Sequence, residues 1–281
     1  MIESNRVKFL SVAFLTTIFP IKKEILYDFF NSLEKQTYKE FDLIVVNDGF
    51  EGFGEFKKKY NSLNIIELKH SNTPAKNREY GINWCINNGY DILIFGDSDD
   101  YFESNRVEVS IKKLKHYDIV VNDLTLFNEK KIISEKYFSN RLSNNQIIDF
   151  NFIKEKNIFG FTNTALKVKA LDKSVSFDEN IIAVDWFLFT LLLLKGKTAI
   201  FTNETVTYYR QYDKNLIGLG NLDIDRIKKT IDVKLNHYSL LSKINPSFNN
   251  LKENLEKNIE KLDIILTKQK NLTHPFWWEE I

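Results

Sequence analysis

Apolar positions follow two rhythms along most of the chain. Short dense runs at Val12–Leu15, Phe41–Val46, Asn64–Leu68 and Asp91–Phe95 are rich in β-branched and aromatic residues. They are bounded by turn formers, and each predicts a buried strand. The first strand is expected over Val7–Phe14, with Thr16-Thr17-Ile18-Phe19-Pro20 as the loop after it. Between the runs the spacing changes to three and four. Ile25, Leu26, Phe29, Phe30 and Leu33 form one stripe, which predicts a helix over Lys23–Gln36. Phe56–Tyr60 reads as a short helix. Asn72-Thr73-Pro74-Ala75-Lys76-Asn77-Arg78 opens another, running to about Asn88 and burying Tyr80, Trp84 and Cys85 or their neighbours. Gly89 is placed to cap it. Strands alternating with helices imply a mainly parallel sheet covered on both faces.

Further along, Ser104 is expected to cap a helix reaching His116, and Asp118–Phe127 to be a strand. Asn145–Lys156 reads as helical and Asn163–Val168 as extended. Phe177-Asp178-Glu179-Asn180 is a turn before Ala183-Val184-Asp185-Trp186 and the apolar helix Phe187–Leu194, which Gly196 ends. Thr198–Tyr209 supplies one or two strands. Beyond Gly220 the strand rhythm stops. Ile224, Ile227, Ile231, Leu235, Tyr238 and Leu241 recur at helical spacing, Asn245-Pro246 interrupts them, and Leu251, Leu255, Ile259, Leu262 and Leu266 resume. These predict a helical hairpin over Lys229–Lys270. The expected division is a domain of residues 1–220 and a helical extension of residues 221–281.

Composition narrows the function classes. The chain has 281 residues, 43% hydrophobic and 14% aromatic, enough for a sizeable core. A net charge of +1 gives no electrostatic case for nucleic acid. One cysteine, Cys85, allows no internal disulfide and no cysteine-based zinc site, and fits a reducing compartment. Met1–Asn5 lack the basic start of a signal peptide, and Trp186–Leu194 is about half the length of a membrane span. A soluble, cytoplasmic protein is expected. The closing Phe276-Trp277-Trp278 either touches a membrane interface or packs onto its own domain.

The densest candidate chemistry is Asp97-Ser98-Asp99-Asp100, following the strand that ends at Phe95. Gly96 lets the chain turn there. The carboxyl edge of an α/β sheet is where ligands usually bind. Clustered acids on a short loop suit Mg²⁺ or Mn²⁺, held by one or two carboxylates plus substrate phosphates. The same four residues also read as a solvated turn that caps the next helix.

Five stretches in order bear on that choice. They are Ser32–Tyr38 (ending Gln36-Thr37-Tyr38), Ile44-Val45-Val46-Asn47-Asp48-Gly49, Ala75-Lys76-Asn77, Phe95–Asp100, and Phe177-Asp178-Glu179 with Val184-Asp185-Trp186. Together they resemble the family 2 glycosyltransferases of the GT-A fold, over roughly residues 7 to 215. The resemblance implies a Rossmann-like GT-A sheet with helices on both faces, plus the C-terminal hairpin. It implies a divalent metal, Mn²⁺ or Mg²⁺, on Asp97 and Asp99. Nucleotide contacts would come from Thr16, Asp48, Lys76, Asp97 and Arg210, and the catalytic base would be Asp185. Asn47, Phe50, Lys76, Val184 and Tyr212 depart from the family's Asp, Ser, Arg, Glu and His, and the first loop departs as well.

The function so implied is inverting transfer from a nucleotide-diphosphate sugar, with a UDP-sugar favoured, to a hydroxyl of a glycan or glycoconjugate. The expected site of action is the cytoplasm, with peripheral contact at the inner face of the membrane as an option. Two other readings stay open. One is a degenerate GT-A domain that binds sugar-nucleotide or glycan without turnover. The other is a sugar nucleotidyltransferase, which needs a glycine- and arginine-rich loop that Thr16–Pro20 lacks.

Overall fold

A computed structural model describes residues 10–129, 131–212, 224–259 and 273–281. The first half alternates as expected: β1 (Val12–Ile18), α1 (Lys23–Glu34), β2 (Asp42–Asn47), α2 (Phe53–Lys59), β3 (Asn64–Lys69), α3 (Pro74–Asn87) and β4 (Ile92–Phe95). Then come β5 (Tyr101–Phe102), α4 (Arg106–Leu114), β6 (Ile119–Phe127), β7 (Ile132–Ser134), β8 (Ile147–Ile148), α5 (Phe150–Ile153) and β9 (Thr164–Lys167). The chain continues through α6 (Val184–Leu194), β10 (Ala199–Arg210), α7 (Ile224–Ser242) and α8 (Ser247–Ile259).

All ten strands among the described residues join one sheet, in the order β3-β2-β1-β4-β9-β6-β10-β5, with β7 on β6 and β8 on β10. The segment β3-β2-β1-β4 is parallel throughout. β9 then inserts antiparallel between β4 and β6, so the whole sheet is mixed. The dense apolar runs follow from burial on both faces. Ala13, Leu15, Ile44, Val46, Leu93 and Phe95 point into one core, beneath α3, α6 and α7. Val12, Phe14, Leu43, Val45, Ile92 and Ile94 point into the other, beneath α1, α2 and α4. Cys85 is buried in the first core, where burial pushes its thiol up to about 12, so it packs and does not react.

Several expectations need correction. β1 does not end at Phe14: it stays paired with β2 as far as Ile18 opposite Asn47. Thr16 is therefore a fully buried strand residue, not a loop residue open to a nucleotide, and its hydroxyl has no partner among the described residues. Residues 7–9 lie outside the described residues. Tyr80 is exposed and stacks on His70, while its helix buries Ile82 and Cys85. Ser104 is not a cap. α4 starts at Arg106, and its Val107 N–H donates to Gln36 Oε1 at 3.0 Å. Asn145–Lys156 is not one helix. Asn145 adopts φ +63°, β8 pairs with β10, and Asp149 caps only the single turn of α5.

The helical pair after Gly220 is present as α7 and α8 with a turn at Pro246, and residues 260–272, including Leu262 and Leu266, lie outside the described residues. α7 and α8 do not stand apart. Val233, Tyr238, Leu241 and Phe248 share the core with α6, and His237 stacks on Trp186 at 3.7 Å. The closing aromatics also pack onto their own domain. Phe276, Trp277 and Trp278 are buried, and Trp277 exchanges backbone bonds of 2.8 and 3.1 Å with Asn157. This tail is not available to a membrane interface. No helix among the described residues is long and apolar enough to cross a membrane.

Candidate active site

The acid loop leaves β4 at Gly96, where nothing larger fits. A Cβ there would sit 2.5 to 2.6 Å from the rings of Phe14 and Phe102. Ser98 Oγ then donates to the Thr17 carbonyl at 2.9 Å, fastening the loop to the end of β1. The three acids that follow differ in role. Asp100 is fully buried and accepts from Thr162 Oγ1 at 2.5 Å and from the Arg210 backbone N–H at 2.7 Å. Burial first, then the charges of Asp99 and Asp97, push its carboxyl well above the usual range. It anchors the loop from below.

Asp99 lines an open cleft. Burial, then the neighbouring charge of Asp97, push it up to about 6. The Tyr212 hydroxyl hydrogen-bonds to it from the position where the family pattern has His. Asp97 is ion-paired with Arg78, a residue that the sequence reading passed over. Arg78 also lies over the ring of Phe161 at 5.2 Å, and its Nη1 has no partner among the described residues.

Lys76, expected at the nucleotide, is engaged elsewhere. Its ammonium donates to Glu79 at 2.9 Å and to the Phe177 carbonyl at 2.8 Å, while Glu79 accepts from the Phe177 N–H at 2.6 Å. The pair clamps the backbone before α6. Lys76 and Arg78 are two positions apart and so do not share a helix face. The Thr73 cap and Pro74 at the first turn fix the helical phase. That phase was the available signal for Arg78.

Arg210, expected at the diphosphate, is buried beneath the loop. Its Nε donates to the Asp99 carbonyl at 2.8 Å, and its Nη2 pairs with Asp28 at 2.7 Å. It holds Asp99 in place. Asp48 sits at the end of β2, where its backbone N–H donates to Ile18 O at 2.8 Å and its carboxylate accepts from Ser71 Oγ at 2.6 Å. The preceding Asn47 explains its own departure from Asp. It accepts from the Phe50 N–H at 2.8 Å and donates to Phe50 O and to Glu67, and a carboxylate cannot donate.

The cleft, about 1070 Å³, runs from Phe19–Lys23 past Gly49–Glu51 to Asp99 and Tyr212. Phe19 presents an exposed ring to it. Asp185 lies in the first turn of α6 and accepts from the Trp186 N–H at 2.7 Å. Burial pushes its carboxyl up to about 7, with Asp97 adding to the rise and Arg78 opposing it. Asp185, Asp97 and Arg78 thus form one electrostatic group, and Glu179 in the nearby turn is exposed to solvent.

Among the described residues no group of three or more His, Cys, Asp or Glu side chains is placed to hold a metal. The donor set at Asp97 and Asp99 fits a hard cation only if phosphate oxygens and water complete its shell, as is usual for Mg²⁺. Burial first, and then the charge of Asp97, disfavour the ionised form of Asp99, and a bound cation would favour it.

Sheet order, acid loop and cleft define a GT-A glycosyltransferase fold. Residues 17–174 match the model of Glycosyl transferase family 2, more than half of the chain, and the chain belongs to this family. It is 27% identical over 215 residues to Glycosyltransferase GlyA of Streptococcus pneumoniae serotype 4. That match covers 70% of this chain, which spans 30% of the length of that curated relative. In structure it is similar to S. aureus TarS 1-349 in complex with UDP-GlcNAc (TM-score 0.58, 17% identity, 81% of this chain and 66% of that one). It is also similar to the mannosyltransferase PcManGT from Pyrobaculum calidifontis in complex with GDP-Man and Mn²⁺ (TM-score 0.58, 12% identity, 84% and 65%).

Proposed function

We propose that this chain is an inverting, metal-assisted glycosyltransferase. It moves a sugar from a nucleoside-diphosphate sugar, a UDP-sugar by preference, to a hydroxyl of a glycan or glycoconjugate. The observation that carries this reading is the place of Asp185 in the first turn of α6, in one electrostatic group with Asp97 and Arg78, where burial pushes its carboxyl up to about 7. A base acts best when its pKa lies near the working pH. Asp185 takes the proton of the acceptor hydroxyl as that oxygen bonds the anomeric carbon. The bond from that carbon to the diphosphate breaks on the opposite face, so the configuration inverts and the nucleoside diphosphate leaves with the bonding pair.

The other residues bind and orient. Arg78 contributes positive charge at the diphosphate. Asp48, next in sequence to the cleft residue Gly49, offers an acceptor to a base imide N–H, and Phe19 an aromatic face that lines the cleft. Asp97 and Asp99 would hold Mn²⁺ or Mg²⁺, which when bound supplies Lewis-acid neutralisation of the leaving diphosphate. Two similar structures are described with UDP-GlcNAc and with GDP-Man and Mn²⁺, which supports a donor of this class. We take residues 1–220 as the transferase unit and 221–281 as its helical extension, and place the activity in the cytoplasm, in keeping with a lone buried cysteine.

The test is release of nucleoside diphosphate from a panel of UDP- and GDP-sugars, with and without Mn²⁺, for wild type and Asp99→Asn. UDP-sugar turnover should depend on the metal, and Asp99→Asn should weaken that dependence. Turnover indifferent to both would overturn the metal assignment, and no release from any donor would overturn the transferase reading.

A further inference from the structure

A second cleft, of about 740 Å³, is lined by Tyr101–Ser104, the residues that directly follow the acid loop. α1, the β6–β7 turn and the end of β10 also line it, and Asp185 lies outside it. It meets the first cleft at Glu129, which lines both. Its platform is aromatic. Tyr101 and Tyr208 face each other on paired strands and stack at 4.3 Å and 12°. Tyr101 also meets the edge of Phe127 at 4.9 Å, and the Tyr208 hydroxyl donates to Glu103 at 3.1 Å. Both tyrosines are only half-buried.

The rim is polar and carries both signs. Asp28, Glu103 and Glu129 present carboxylates, and Lys35 an ammonium without a partner among the described residues. Arg210 is already paired with Asp28. Three acids against two cations leave no net positive field, so phosphate ligands are disfavoured. A fixed aromatic platform ringed by carboxylate acceptors and by ammonium and amide donors suits a neutral sugar. The apolar C–H face of the sugar ring rests on the aromatic face, and its hydroxyls donate to carboxylates and accept from the ammonium.

We propose that this cleft is a non-catalytic carbohydrate subsite that holds a neutral glycan away from the point of transfer. The choice of a glycan rests on the glycosyltransferase reading above. Arg210 forms the partition between the two sites, because its guanidinium bonds Asp28 on the cleft side and the Asp99 carbonyl on the loop side. The subsite therefore adjoins the acid loop without using its carboxylates.

The experiment is saturation-transfer NMR on the full chain with maltotriose, cellotriose and tri-N-acetylchitotriose, with and without saturating UDP and Mn²⁺. At least one trisaccharide should receive saturation, and UDP should not displace it. Tyr208→Ala should lower its affinity about tenfold. Tyr208→Phe, which keeps the ring, should retain most of the binding. Lys35→Ala, an exposed change that spares the fold, should also weaken it. Absence of transfer to all three sugars, displacement by UDP, or affinity unchanged in both Tyr208→Ala and Lys35→Ala overturns the proposal. UDP binding in the same samples reports separately on the transferase reading, because neither Tyr208 nor Lys35 lines the donor cleft.

Discussion

Asp185→Asn should abolish most transfer while making the protein more stable at alkaline pH. The substitution keeps the side chain's shape and its acceptor oxygen for the Trp186 N–H, and removes only basicity and charge. Loss of a general base costs about 10²–10⁴ in kcat, with donor affinity little changed. Stability follows from the same displacement. A carboxyl raised from 3.8 to about 7 binds its proton more tightly in the folded state, so ionising it opposes folding. The cost is absent below the unfolded value, grows as pH rises through the interval, and is complete above about 7. At about 1.36 kcal/mol per pH unit it reaches roughly 4 kcal/mol. Asp185→Asn should therefore raise the urea midpoint at pH 8 in EDTA, and the gain should vanish toward pH 4. Wild-type kcat/KM should fall as pH drops below about 7, because the base must be ionised. The assays are initial rates, UDP-sugar affinity and urea titrations on one preparation across pH. Near wild-type transfer, or a mutant no more stable than wild type at pH 8, would refute the reasoning.

Arg78→Gln should weaken UDP-sugar binding about tenfold or more and move the midpoint of the pH-rate profile upward, because it removes the cation that opposes Asp185's rise. Lys76→Gln should leave that midpoint in place, and equal midpoint shifts in the two variants would show that Lys76 and Arg78 are not distinct. Gly96→Ala should cost about 1–3 kcal/mol by forcing a methyl against Phe14 and Phe102, read as a lower Tm; an unchanged Tm would contradict the packing. Trp277→Ala should cost about 3–5 kcal/mol in urea unfolding, and an unaltered midpoint would mean that the tail does not pack as described.

The parallel strands were legible because burial on both faces leaves an apolar run that few other structures produce. β9 was visible as extended, but not its direction, because antiparallel insertion is settled by partners far away in sequence. The acids of the site were legible as a cluster, yet their division of labour was not. Asp100 differs from Asp99 only through Thr162 and the Arg210 backbone, which lie 62 and 110 positions away. The two basic residues expected at the phosphates illustrate the same limit. Lys76 and Arg210 have the right charge, but each is spent on a backbone carbonyl and a carboxylate. Charge can be read from one position, whereas availability depends on what else the fold has placed nearby.

The clasp at the tail bears on how the protein is made. Beyond the buried aromatics, Glu279 pairs with Arg141 and Lys156, and Glu280 with Arg226. Trp277 meets Tyr209, the neighbour of Arg210, ring edge to face. On a ribosome the sheet strands emerge first, but the surface formed by Phe138, Phe152 and Tyr209 waits for residues 276–278 to cover it. A recombinant fragment cut at the end of the sheet would retain every acid of the site and leave that aromatic surface facing solvent. Such a fragment is expected to aggregate, and its inactivity would say nothing about Asp185 or Asp99.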